Sequence, residues 1–331
     1  MNSIKKMMLS GALGCLISGM AYADGSSPQP VKPYWQDIQV VAVNKEKPRS
    51  SFMSYADRET ALTSRFEKSP YYSLLNGTWK FFFVDSYKDL PQNITDPSVN
   101  TSSWDDITVP GNWEVQGHGV AIYTNHGYEF KPKNPQPPLL PEANPVGVYR
   151  RDIEIPASWD NRDIYLHIGG AKSGLYVYLN GKEVGYSEDS KNPAEFLINK
   201  YLQPGKNVLT LKIFRWSTGS YLECQDFWRM SGIERDVFLW SQPKASIQDF
   251  RVVSTLDDTY TNGIFKLAVD LKNHTQETKN LNVGYELLDA KGNLVASEAN
   301  DIWVSPAAPQ TASFEYDLKN VAPWSAEHPN L

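Results

Sequence analysis

Between Ser220 and Trp240 the chain reads SYLECQDFWRMSGIERDVFLW, and this stretch gathers side chains suited to gripping a polyhydroxylated ring. Tyr221, Phe227 and Trp228 offer flat apolar faces that can cover a pyranose, while Glu223 and Asp226 offer carboxylates that accept hydroxyl protons. The run has no helical or strand period until Arg235–Trp240, which reads as a strand, so the part before it is expected to be an ordered loop. The same aromatics would serve equally to plug one end of a β-sandwich, because conspicuous aromatics are usually core. Glu223 and Asp226 make a poor catalytic pair. Retaining glycoside hydrolysis needs two carboxylates about 5–5.5 Å apart on rigid supports, and neither residue has a visible scaffold.

Other chemistries are excluded by motif. HExxH, CxxC and GxSxG do not occur. Gly169–Leu175 (GGAKSGL) has the glycine spacing of a phosphate loop, but Leu175 stands where the lysine must be and Lys172 is interior. The five histidines show no ligand spacing, and His167, inside a predicted strand, reads as structural. Cys224 lies between Glu223 and Gln225 with no basic neighbour, which disfavours the thiolate and makes it a bystander. Net charge is −6 and no basic patch occurs, so nucleic acid is not an expected partner.

The elements that must position these residues are strands. The 331 residues suggest about two domains. Abundant Pro (22), Gly (21), Tyr (18) and Trp (10) favour short strands with many turns over a helical bundle. Residues 24–70 show little period; Ser54 is a candidate cap for a short helix reaching Phe66. In the region 71–243 an Asn76-Gly77 turn precedes an aromatic strand to Phe83. Strands are then predicted at Trp104–Val109, Val146–Ile155, Asp163–Ile168, Leu175–Leu179, Lys182–Tyr186 and Asn207–Trp216, with an Asn180-Gly181 turn. The alternation of Val146–Ile155 predicts one wet face. Tyr123–Pro145 carries six prolines and is predicted to be a long loop of the functional kind. Region 244–331 predicts five strands of a second, smaller sandwich, short of the seven or so of a complete immunoglobulin-like fold. The expected class is therefore all-β: a jelly roll followed by an incomplete immunoglobulin-like sandwich, its last strands missing and its edge open.

Residues 1–23 read as a secretory signal peptide. Lys5 and Lys6 form the basic end, Met7–Met20 the apolar stretch, and Ala21-Tyr22-Ala23 the cleavage site, which implies a periplasmic or secreted protein. Cys15 offers a weaker lipoprotein alternative, and the apolar run is too short to span a bilayer. Without the leader one cysteine remains, so no intramolecular disulfide is expected.

Several blocks together resemble the β-galactosidases of glycoside hydrolase family 2, the large multidomain lactose-hydrolysing type. They are LLNGTWKF (74–81), VPGNWEVQG (109–117), IYTNHGYEF (122–130), NPVGVYRRDIEIP (144–156), GYSEDSKNPAEFLIN (185–199), RWSTGSYLE (215–223), YLECQDFWRMSGIERDVFL (221–239) and WSAEHPNL (324–331). β-Glucuronidases and β-mannosidases of that family differ around Tyr123-Thr124-Asn125 and Gln225–Trp228. The resemblance implies a jelly roll, then an immunoglobulin-like domain, then a TIM barrel that carries both catalytic glutamates and the magnesium ligands. It also implies that Asn125 and Asp226 reach the galactose pocket, with Asp226 contacting the sugar hydroxyls and a sodium ion, and that Trp35–Phe66 helps hold subunits together. The family's acid/base glutamate follows an asparagine, and no Asn-Glu dipeptide occurs here. No catalytic residue is therefore assigned, and the expectation is an N-terminal portion that lacks the barrel and does not hydrolyse alone. The alternatives are a stand-alone carbohydrate-binding module and a complementation partner for a separate barrel chain.

Overall fold

Asn180 and Gly181 show how local chemistry starts the fold. Both have positive φ, 53° and 79°, which gives the tight turn that matches the twist of flanking strands. They join Gly174–Leu179 to Lys182–Ser187, with Leu179 opposite Lys182. In the computed structural model, which describes residues 32–130, 134–306 and 308–329, this hairpin sits inside a seven-stranded antiparallel sheet. Its order is Ala42–Val43, Lys182–Ser187, Gly174–Leu179, Lys206–Phe214, Val146–Glu154, Gly77–Val84 and Asp105–Val109. A second sheet runs Ala194–Leu197, Arg162–Ile168, Val237–Pro243 and Tyr72–Leu74. Trp79, Phe81, Tyr149, Leu166, Val177, Leu211 and Leu239 form one buried cluster between the two sheets. This is the jelly roll. The predicted signal peptide, residues 1–23, lies outside the described residues.

Two expectations are corrected here. Val146–Glu154 has no wet face over its first five residues, all of which are buried. Tyr149 faces the inter-sheet core, while Val146 and Val148 belong to a second cluster with Trp35, Trp104, Tyr176 and Phe214. Trp35 stacks on Phe214 at 4.9 Å, and the Arg150 guanidinium donates to Ile94 O at 2.8 Å and Val99 O at 3.2 Å. Irregular segments thus roof the sheet's outer face, and alternation within a strand carries no record of them. The second correction concerns the short helix, which is Arg58–Leu62 and is capped by Asp57, not Ser54. The Asp57 carboxylate accepts from the Thr60 N–H at 2.8 Å, and these bonds hold its pKa below the usual carboxylate value.

The second sandwich pairs Ala245–Leu256, Gly263–Asn273 and Gln310–Leu318 in one sheet and Lys279–Leu288 with Leu294–Val304 in the other. Phe265, Leu267, Val269 and Leu271 alternate inward and meet Val283, Val304 and Phe314. This is the immunoglobulin-like unit. The segment 44–55 bridges both sandwiches. Arg49 makes two bonds to Glu195 (2.9 and 2.8 Å), and Ser50 bonds Asp249 Oδ1 and Phe250 O, both at 2.8 Å.

Candidate functional site

The loop that opens at Tyr123 begins as a strand. Ile122–Thr124 pairs antiparallel with Phe227–Arg229, matching Thr124 with Phe227, Tyr123 with Trp228 and Ile122 with Arg229. The ladder stops there: Asn125 follows the first strand, and Asp226 precedes the second in a tight turn closed by the Phe227 N–H on Gln225 O at 3.0 Å. Residues directly opposite share a face and faces alternate, so Tyr123 and Trp228 project to one side and Ile122 and Arg229 to the other. Burial agrees: Tyr123 and Trp228 are exposed, as are Asn125 and Asp226 beside them, while Arg229 is 1% exposed. The Tyr123 and Trp228 rings lie 5.6 Å apart, and the Tyr123 phenol reaches Asp226 Oδ1 at 3.4 Å. Asn125 Oδ1 is 2.8 Å from His126 Nδ1, so the next residue steadies that amide.

Beneath the ribbon lies a floor of buried charge. Lys172 and Glu129 pair at 3.0 Å, both side chains 3% exposed. Arg215 bonds Val120 O at 2.9 Å and Arg229 O at 3.2 Å, and stands 3.6 Å from the fully buried Glu114 carboxylate. Burial pushes Glu114 above its ordinary pKa, although Ser231 N–H bonds at 2.8 and 3.1 Å pull the other way. Glu129 Oε2 and Arg215 Nε face each other at 4.0 Å, neither with a hydrogen-bond partner among the described residues. Arg215, which follows the strand Lys206–Phe214, thus ties the chain beside the ribbon to the large sheet, and breaking one of these ion pairs would strand a buried charge. Sequence reasoning missed Glu129, Lys172, Arg215 and Glu114. The signal available was the lysine of the failed phosphate loop, which once buried requires a partner.

The remaining candidates divide cleanly. Glu223 accepts from Ser190 N–H at 2.7 Å and Ser190 O–H at 2.6 Å, so its carboxylate is spent on holding a loop. Burial raises the Cys224 thiol, whose Sγ donates to Ser220 O at 3.3 Å; burial, more than the flanking acids, keeps it protonated. His167 bonds Glu195 at 2.8 Å and stacks on Phe238, which is a structural role. Among the described residues no group of three or more His, Cys, Asp or Glu is placed to hold a metal ion. Asp226 would bring one carboxylate to such an ion, and no other acid there completes a shell. The ribbon face can stack a ring and exchange hydrogen bonds with hydroxyls. It offers no paired acid and nucleophile.

A family model described as the sugar binding domain of glycosyl hydrolases family 2 matches residues 72–243, and a second, described as glycosyl hydrolases family 2, matches residues 245–331. The chain belongs to glycosyl hydrolases family 2. Similar curated proteins include beta-galactosidases of Priestia megaterium (38% identical, covering 90% of this chain and 29% of that protein) and Psychromonas ingrahamii (34%, 90% and 28%). This member therefore spans under a third of the length of the relatives it matches. Among solved structures, a beta-glucuronidase of Bacteroides uniformis aligns with TM-score 0.63 at 19% identity, over 78% of this chain and 29% of its own. One from Bifidobacterium dentium aligns with TM-score 0.55 at 18% identity, over 78% and 43%. At such identities they speak for the fold alone.

Proposed function

We propose that this family 2 chain supplies one wall of the galactoside pocket of a β-galactosidase, whose acid and nucleophile come from outside these 331 residues. The observation that carries the reading is the exposed ribbon face, where the Tyr123 and Trp228 rings pair across the strands and the Tyr123 phenol reaches the Asp226 carboxylate. In this role an aromatic ring covers an apolar sugar face, the Asp226 carboxylate accepts hydroxyl protons, and the Asn125 amide both donates and accepts. Asp226 would also give one carboxylate ligand to a sodium ion, and magnesium would be held elsewhere. The beta-galactosidase relatives at 34–38% identity favour galactosides over glucuronides. Ile38, Val41 and Leu62, exposed on the irregular N-terminal segment, are the surface proposed for subunit contact. The reading places the protein in the periplasm or outside the cell.

The test is hydrolysis of a chromogenic β-galactoside by the purified chain, with magnesium and sodium present. No turnover above buffer is expected, since binding groups cannot replace a nucleophile and an acid. Turnover that disappears in Asp226→Asn would overturn the proposal and assign chemistry to the ribbon itself.

A further inference from the structure

A cleft of about 320 Å³ opens on the outer face of the smaller sheet, under the segment 45–52, and no ribbon residue lines it. Its floor is aromatic. Phe238 and His167 sit opposite each other on neighbouring strands and stack at 4.2 Å, interplanar angle 15°. Phe52 and Phe66 complete the apolar walls. Phe66 is half-buried and packs against the cluster of Met53, Tyr165, Phe238 and Trp240, so the wall it makes is apolar. The rim is polar and exposed: Asn192 Nδ2 donates to both oxygens of Asp189, each at 3.0 Å, an amide–carboxylate pair of the kind that receives neighbouring hydroxyls.

Charge and size narrow the ligand. Lys45, Lys47 and Arg49 are balanced around the cleft by Glu46, Asp189 and Glu195, and Arg49 and Glu195 neutralise each other directly at 2.8 Å. A balanced lining neither attracts nor repels an ion, so it favours a neutral polar molecule with apolar faces. The volume sits at the low end of small-molecule sites, roughly 300–1,000 Å³, and suits one ring. We propose that this cleft is a second carbohydrate site, which takes a single neutral hexose ring and is separate from Asn125 and Asp226. The proposal does not rest on the galactosidase reading.

The experiment is an amide-resonance titration of the purified chain with methyl β-D-galactopyranoside, methyl β-D-glucopyranoside and galacturonate, each to tens of millimolar. A neutral glycoside is expected to shift residues 49–52 and 189–195 saturably. Asn192→Ala and Phe66→Leu, the second keeping apolar volume, should each weaken that binding about fivefold, and Asp226→Asn should leave it unchanged. Dispersed spectra of every variant establish that each is folded. Saturable shifts confined to 122–130 and 224–229 and lost in Asp226→Asn would overturn the cleft while supporting the ribbon. No saturable shift in the folded chain, or tighter binding of galacturonate than of both neutral glycosides, would also overturn it.

Discussion

The two sandwiches bury their strands in different ways. In the second, Gly263–Asn273 shows its core as alternation, with Phe265, Leu267, Val269 and Leu271 inward and their neighbours more open. In the first, residues 146–150 are buried on both faces, because Trp35, Trp104 and the loop around Ile94 cover the side that alternation assigns to water. The buried core of one unit is made by its strands alone. The other is held by strands plus irregular chain packed over them, and its stability is therefore shared with segments that have no secondary structure.

Removing the Trp35 side chain should break that sharing most directly. Trp35→Ala is expected to cost about 3–5 kcal/mol, the range for deleting a buried aromatic, and to lower the urea midpoint of the first sandwich alone. An unshifted midpoint would mean that the irregular roof contributes nothing. Glu195→Gln comes next, at about 3 kcal/mol, because it leaves Arg49 and His167 facing a neutral amide. Burial by itself would raise the Glu195 carboxyl, but bonds from His167 and Arg49 overcome it and hold the pKa below the ordinary value. Stability from this group is thus fully present above its unfolded pKa and lost as pH falls through the depressed one. The gap between wild type and Glu195→Gln should be widest above about pH 5 and close on acidification; a pH-independent gap would contradict the ion-pair account.

Leu267→Ala sharpens the other side of the comparison. It should cost about 2 kcal/mol and move only the transition of the second sandwich, read by near-ultraviolet dichroism against denaturant. The smallest effect belongs to Lys266→Ala. Its pair with Glu315 at 3.0 Å is solvent-exposed on both sides, so the change is expected within about 0.5 kcal/mol and to shrink further in salt.

Much of this was legible in the chain because its causes are local. Asn180-Gly181 announces a turn and the five strands after Ala245 announce their period; the resemblance singled out the stretches that pair as the ribbon, while the sugar contacts of Asn125 and Asp226 belong to the proposal. What stayed hidden depends on partners far along the sequence. Glu129 finds Lys172 across 43 positions, and Arg150 finds the carbonyl of Ile94 across 56. Neither pairing leaves a spacing to read. The helix cap was misplaced for a smaller reason: Ser54 and Asp57 are both good caps, and only the backbone decides which one turns.

The segment that spans both sandwiches also sets an order of assembly. The carbonyl that the Ser50 hydroxyl holds belongs to Phe250, two hundred residues further along the chain. Domains fold broadly as units in order of synthesis. Arg49 can settle on Glu195 with the first sandwich, whereas the Ser50 bonds must wait until the first strand of the second has emerged, so the strap seats in two steps.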